Sequence, residues 1–386
     1  MKDGRADRLE LIQKIAAIGG GPILVYFTAD SPIIGGNIAS DAALPIFDHL
    51  RALGKQHRLC LYLYSTGGTL ETPWKIVNML REFCGELHVI VPYKAYSAAT
   101  MIAIGTDKIL MTRKAELGPI DPSLQAAPAA PKEGEFPALA ELGVEDVAAY
   151  VTFVRERAKL TDQAAVARLV GTLAQYLTPP LLGRLERVYS HIRLVARNLL
   201  SLHRPPFDDR HISVITEALT EKMYVHGHGI GRREASQVGL DVRELTEGEE
   251  EPIWALYQAY ETIFRLRESR DIEGYFPTAA DTYELPDAAI ACVESTAALD
   301  AFIGTVRTQR IRRIPPNPTV NVNLSINFPA NVQPQELPQA IQQLVQQALQ
   351  QAGQQINTLV AQELQKQAPI IGMSASLVGG AWKKIA

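Results

Sequence analysis

Cysteine is scarce in this chain: Cys60, Cys84 and Cys292 are the only three among 386 residues, odd in number and far apart. A secreted domain stapled by disulfides carries even, patterned sets, so a reducing compartment is expected and the cytoplasm is the expected location. Long apolar runs are missing as well. Nothing approaches the roughly 20 residues that a bilayer-spanning helix needs, and the sequence opens on no signal-peptide pattern, so membrane insertion is not expected. Positive charge is not in excess: 38 Lys and Arg stand against 42 Asp and Glu, a net charge of −4. That balance gives no general attraction to nucleic acid or to an anionic membrane. The basic stretch from Arg307 to Arg313 is too short to change the expectation of no nucleic-acid partner.

Apolar residues are plentiful, at 47% of the chain against 21% charged, enough to bury a substantial core and to build two domains. They alternate between strand-like and helix-like patterns. Arg58 to Tyr64 reads as a buried strand, Ser65 to Thr69 with its Gly67-Gly68 pair as a turn, and Glu71 to Phe83 as a helix with Trp74, Ile76, Val77, Leu80 and Phe83 on one stripe. Leu87 to Val91 is a second strand, leading through Pro92 and Tyr93 to Ser97 and the small residues Ala98-Ala99-Thr100, which open a second helix. With Pro22 to Thr28 and Ile109 to Thr112 as strands and Ala43 to Leu53 as a helix, the alternation argues for an α/β domain.

Acyl transfer by a serine needs that residue exposed on a tight turn, with two backbone N–H groups aimed where the tetrahedral oxygen forms. Ser97 stands at a helix N-terminus, and Gly68 and Ala98 are the natural oxyanion donors. Glycine at 67 and 68 permits positive φ and close approach of a substrate. Ser97 can equally be read as a plain N-cap. The Gly-Gly turn about thirty residues upstream, on the neighbouring strand-turn-helix unit, is what favours the chemical reading.

The run Tyr64-Ser65-Thr66-Gly67-Gly68, followed by Tyr96-Ser97-Ala98-Ala99-Thr100 and then Glu116-Leu117-Gly118-Pro119-Ile120-Asp121-Pro122, resembles the Clp-type and SppA-like serine peptidases of the crotonase-like fold. Within that superfamily the chain is most similar to the serine dehydrogenase proteinase family. A second block supports the likeness: Tyr224-Val225-His226-Gly227-His228-Gly229-Ile230, then Glu234-Ala235 and Val238-Gly239-Leu240-Asp241-Val242. The resemblance implies a ββα spiral core, a peptide or unfolded protein as substrate, no cofactor, and a homo-oligomeric ring or barrel. The chain carries no ATPase motif, so a separate unfoldase or adaptor would be the route to folded substrates.

The likeness has departures. Ala95 stands where relatives often have glycine. The Clp-type histidine is missing near Ile120-Asp121, and the Clp-type aspartate before Glu234-Ala235 is replaced by a segment containing His226 and His228. The resemblance implies the order Ser, Asp, His, hence a triad of Ser97, Asp121 and either His226 or His228. Such a triad is recognised by geometry rather than chain order. Read without the resemblance, Asp121 is a turn residue before proline, and the His-Gly-His segment a solvated loop or metal site, although no third ligand at short spacing supports a metal. A Ser-Lys dyad using Lys94, Lys108, Lys114 or Lys132 ranks second. A catalytically silent assembly or regulatory protein, and an acyl-CoA enzyme using the same pair of amides for an enolate, are the other function classes.

Residues 1–245 are expected to form the crotonase-like peptidase domain, with a flexible loop at 124–137 and a helical insert at 144–202. Leu9 to Ile18 reads as a short amphipathic helix within it. Residues 246–315 are expected to add a helix, Pro252 to Arg267, and a hairpin of Ala288 to Val293 with Ala301 to Val306. In 316–386, Val320 to Ile326 reads as a strand and the glutamine-rich Leu337 to Gln367 as an amphipathic helix that self-associates or packs on its own domain. The fold class expected is thus α/β, with a C-terminal α+β extension.

Overall fold

The computed structural model describes residues 1–386 except 32, 121–122, 127–139, 144–146, 148, 151, 161, 221–227, 268–275, 277–279 and 314–336. It divides into two compact units, one of residues 1–275, 284–306 and 377–386 and the other of 276–283 and 307–376.

In the first unit, helix α1 (Arg5–Gly19) leads into strand β1 (Ile23–Thr28), and α2 (Ala43–Leu53) into β2 (Gln56–Tyr64). Then come α3 (Thr72–Arg81), β3 (Cys84–Val91), the short β4 (Lys94–Ala95), α4 (Ala98–Ile104), β5 (Lys108–Met111) and β6 (Glu116–Leu117). β1 and the distal parts of β2 and β3 are buried on both faces, which is why they read as continuous apolar runs rather than alternating ones. β5, β3, β2 and β1 lie side by side in parallel, with β10 (Val242–Glu244) at the β5 edge. Beyond β1 the sheet continues through β11 (Thr282–Glu294), antiparallel to β1, then β12 (Leu299–Arg312) and β13 (Ile370–Lys384).

Helices cover both faces. On one, α2, α3 and α4 pack with α6 (Pro179–Leu200) and α7 (Asp209–Thr220) over Leu24, Leu61, Leu63 and Val89. On the other, α1 and α9 (Glu247–Ile263) pack over Val25, Phe27, Tyr62 and Tyr64. Fully burying an aliphatic or aromatic side chain of this size contributes about 1.5–3 kcal/mol, so each layer is held mainly by area removed from water. One polar cluster is enclosed with them. Arg8, 2% exposed, donates from Nε to Glu294 Oε2 at 2.8 Å, while Tyr260 donates to the same oxygen at 2.6 Å. All three cysteines are free and buried, and burial pushes the Cys84 thiol up to about 11 and the Cys60 thiol to about 12.

Several expectations need correction. α9 begins at Glu247, not Pro252, because Thr246 and Glu249 form a reciprocal capping box; the acidic run is the helix's own first turn. Trp74 stays 37% exposed while Ile76, Val77 and Leu80 carry the α3 contact. Part of the expected loop at 124–137 is a hairpin arm: β7 (Ser123–Ala126) pairs antiparallel with β8 (Ala140–Gly143), Leu124 opposite Leu142. The helical insert is a π-helical turn at Phe153–Arg157 followed by α5 (Gln163–Tyr176) and α6, and α7 extends the helical region past Leu202.

In the second unit, α10 (Gln339–Gln367) runs through Gly353 without a break. Arg312 forms a forked pair with Asp281, Nη2 to Oδ1 at 2.7 Å and Nε to Oδ2 at 3.1 Å, and the Arg310 guanidinium lies 4.6 Å from the Phe276 ring centre. Arg310 and Arg312 of the basic stretch are thus engaged within the protein. The strand read at Val320 to Ile326 lies outside the described residues.

Candidate active site

Two turns at the C-terminal ends of β2 and β3 meet. Ser65 and Ala95 form a parallel bridge, with Ser65 N–H donating to Lys94 O at 3.1 Å and Tyr96 N–H to Ser65 O at 3.0 Å. Across this seam Gly67, at φ 133°, faces the serine turn so closely that a side-chain Cβ there would stand 3.1 Å from Ser97 Cβ and 3.5 Å from its Oγ. Gly68 is pinned from the other side: a Cβ on it would come within 2.0 Å of Ile38 O, and Ile38 N–H donates to Gly67 O at 2.8 Å. Only glycine fits either position.

Ser97 precedes α4 with φ 50° and ψ −114°, a conformation that costs a non-glycine residue on the order of 1–3 kcal/mol. The surroundings hold it there. Thr100 Oγ1 donates to Ala95 O at 2.7 Å and to Gly118 O at 2.8 Å, and receives Gly118 N–H at 3.1 Å, so the first turn of α4 is tied to the strand before it and the segment after it. Tyr96 donates to Glu116, and burial together with this carboxylate pushes its phenol up. Among the described residues Ser97 Oγ and the amides of Gly68 and Ala98 have no hydrogen-bond partner. Two open donors beside an open hydroxyl can stabilise a tetrahedral oxyanion.

Beneath the glycines lies a support the sequence reading did not identify. Thr28 Oγ1 donates to Ser65 Oγ at 2.8 Å, and Ser65 Oγ both receives Gly67 N–H and donates to Gly67 O, each at 3.2 Å. Both hydroxyls are fully buried. Ser65 was legible as part of the Gly-Gly run; Thr28, thirty-seven residues earlier, had no local signal.

His228 precedes a short strand that is joined to the serine segment through one intervening strand. β9 (Ile230–Gly231) pairs antiparallel with β6, Ile230 opposite Leu117, and β6 pairs parallel with β4, Leu117 opposite Ala95. His228 stands two residues before Ile230, outside the paired residues. Its Nε2 is 2.9 Å from Glu234 Oε1, on the short helix α8 (Arg232–Val238), and the imidazole is 44% exposed. Asp121, His226 and Lys132 lie outside the described residues. Of the other lysines, Lys94 pairs with Asp30 at 2.8 Å, Lys108 lies 3.6 Å from Asp241, and Lys114 lies over the rings of Tyr93 and Trp254. None is bonded to Ser97. Among the described residues no group of three or more His, Cys, Asp or Glu is gathered to hold a metal ion.

A hydrogen-bonded Ser-His-Asp chain does exist elsewhere. His49 Nδ1 is 2.7 Å from Ser295 Oγ, and its Nε2 is 3.0 Å from Asp300 Oδ2. Ser295 is 0% exposed and its oxygen also receives the Ala297 N–H at 3.2 Å, so no substrate carbonyl can reach it. This chain joins α2 to the β11–β12 turn, and burial lowers the His49 pKa against the opposing pull of Asp300.

Residues 37–145 match the family described as ClpP-like SDH-type serine proteinase, a span that contains Ile38, Gly67, Gly68, Ser97, Ala98 and Glu116. The likeness to that family covers this span. The resemblance read from the sequence therefore holds, and the sheet flanked by helices is the α/β, ClpP-like fold expected of an SDH-type domain. The matched span ends before His228 and Glu234. Curated relatives include two uncharacterized proteins of Methanocaldococcus jannaschii, one 26% identical over 220 residues and the other 34% identical over 70. These alignments take in 56% and 18% of this chain and only 64% and 24% of the respective relatives. Similar solved structures include a mutant form of the 1510-N membrane-bound stomatin-specific protease, at 14% identity and TM-score 0.34 over 56% of this chain and 79% of its own. ClpP1 from Listeria monocytogenes is 13% identical with TM-score 0.30, over 62% of this chain and 97% of its own. Both scores are low. Among the described residues no helix is long and apolar enough to cross a membrane.

Proposed function

We propose that the chain is a serine peptidase that works through an acyl-enzyme on Ser97. The observation that carries this reading is the coincidence of a strained serine with two amides, Gly68 and Ala98, on turns that touch, all three without a hydrogen-bond partner among the described residues. Ser97 Oγ attacks the peptide carbonyl carbon while its proton moves to a histidine. The carbonyl oxygen takes the negative charge and is held by the two amides; the histidine then protonates the leaving amine, and water releases the acyl group by the same steps.

For the base we favour His228, with Glu234 as the carboxylate that orients it. The bond from Nε2 to Glu234 fixes the ring and leaves Nδ1, which has no partner among the described residues, to take the serine proton. The competing arrangement, implied by the family resemblance, uses Asp121 to orient either His226 or His228. Substrates in this reading are peptides or unfolded chains, the working state is a homo-oligomer in the cytoplasm, and a separate unfoldase or adaptor delivers folded proteins.

The test is labelling by a fluorophosphonate probe with the adduct mapped by peptide mass. Adduct on Ser97, lost in Ser97→Ala and slowed about 10²- to 10⁴-fold in His228→Ala, is expected for a nucleophile and its general base. Unlabelled Ser97 in folded, assembled protein would overturn the peptidase reading in favour of a silent assembly protein. Normal labelling of His228→Ala would move the base to His226.

A further inference from the structure

The same sheet edge carries a second concavity, of about 420 Å³, on the other face. Asp30 beyond β1, Tyr64 at the end of β2, Tyr93 and Lys94 beyond β3 and Lys114 beyond β5 all contribute to it, so four neighbouring parallel strands deliver side chains at their carboxyl ends. Open α/β sheets bind ligands at that edge. Tyr64 and Tyr257 line it from the layer formed with α1 and α9, whereas Ala95 and Ala98 belong to the opposite layer. One strand, β4, therefore separates this cavity from the serine turn.

Its charges do not cancel. Lys94 is matched by Asp30 at 2.8 Å, and Arg267 by Glu261 at 2.8 Å. Lys114 has no carboxylate partner among the described residues; its ammonium stands 4.5 Å from the Tyr93 ring centre and 5.7 Å from that of Trp254. Lys94 approaches the same Tyr93 ring at 5.2 Å. Two ammonium groups thus flank one aromatic ring, and one of them has no counter-charge among the described residues. A monoanion supplies what is missing, while the neighbouring carboxylates of Asp30 and Glu261 would repel a dianion. Tyrosine faces on the wall suit an apolar body behind the anionic group.

We propose that this cavity binds a monocarboxylate, with the carboxylate on Lys114 and the apolar portion against Tyr93 and Tyr257. Its source is either the free C-terminus of a peptide or a small metabolite. The proposal does not depend on Ser97 being a nucleophile. It is tested by calorimetric titration of the full-length Ser97→Ala protein, which cannot turn a peptide over, with N-acetyl-dileucine, its C-terminal amide, benzoate and inorganic phosphate. The acid is expected to bind roughly tenfold or more tightly than the amide, the usual yield of one charge-assisted hydrogen bond. Lys114→Met is expected to bring the acid down to the level of the amide, while Lys75→Met, on the exposed side of α3, leaves it unchanged. Lys114 is itself exposed, so its variant tests binding without disturbing the core. Binding of the acid without benzoate assigns a peptide terminus, and binding of both assigns a small carboxylate. Equal affinity for acid and amide, equal behaviour of the two lysine variants, preference for phosphate, or no binding of either carboxylate would overturn the proposal.

Discussion

Replacing Ser65 by alanine removes the acceptor of two buried donors at once. The Gly67 N–H loses its 3.2 Å bond and the Thr28 hydroxyl its 2.8 Å bond, in a region closed to water. An orphaned buried donor costs about 1–3 kcal/mol, so Ser65→Ala is expected to lower unfolding stability by about 2–4 kcal/mol. Thr28→Val removes one donor but leaves Ser65 both bonds to Gly67, and about 1 kcal/mol is expected. Adding Thr28→Val to the Ser65→Ala protein should cost nothing further, because the hydroxyl it deletes is already stranded. That non-additivity is the signature of a single unit. The Gly67–Gly68 turn rests on this unit, so in the peptidase reading the rate of fluorophosphonate labelling at Ser97 should fall about 10- to 100-fold in Ser65→Ala, short of the loss for deleting a donor outright. Urea unfolding at 25 °C and labelling kinetics measure the two effects. A loss below about 0.5 kcal/mol with unchanged labelling would refute the reasoning, since the turn would then hold its shape without the serine.

Glu294→Gln should destabilise the first unit by about 3–5 kcal/mol, because it leaves the buried Arg8 guanidinium uncompensated, whereas the R8M/E294L pair should recover a good part of that loss; urea midpoints of the three proteins decide, and an equal loss in all would refute it. Stability should also fall with pH from about 6.5 downward. Burial lowers the pKa of His49, His88 and His203 in the folded protein, so below the unfolded value the unfolded chain binds more protons and is favoured, by at most about 1.4 kcal/mol per pH unit for each histidine. Midpoints of thermal unfolding that are the same at pH 7.5 and 5.5 would contradict this.

The part of the site legible in the sequence was the part built from contiguous residues. A Gly-Gly turn and a serine before small residues are local signals, and β2 and β3 bring them together because both strands are buried runs with a short helix between. The ends of α2 and the course of α10 were legible for the same reason, since periodicity is local. Pro252 misled because proline usually marks a helix start; here the capping box at Thr246 and Glu249 set the start one and a half turns earlier. The Thr28–Ser65 support and the His49–Ser295–Asp300 chain join residues dozens to hundreds of positions apart, and no pattern within one segment announces them. β13 was missed because its small and polar residues, Gly372, Ser374, Ser376, Gly379 and Gly380, resemble a loop; pairing with β12 in the sheet makes it a strand. Asp121 and His226 lie outside the described residues, so the sequence-level triad is joined to the structure through Ser97 and His228 alone.

The molecule contains two serines that invite comparison, and a geometric template for hydrolases would select Ser295 rather than the Ser97 of the peptidase reading. Ser295 has its histidine and its aspartate in good order, yet its oxygen is bonded to both His49 and the Ala297 N–H and no solvent touches it. Among the described residues Ser97 has no such retinue, and its oxygen and the amides of Gly68 and Ala98 have no partner. Structural polar networks are closed circuits, whereas a reacting group needs an open terminal for the substrate to complete. In a comparison of this chain with its relatives, the places where hydrogen-bonding capacity is left over are better guides to chemistry than the places where it is fully engaged.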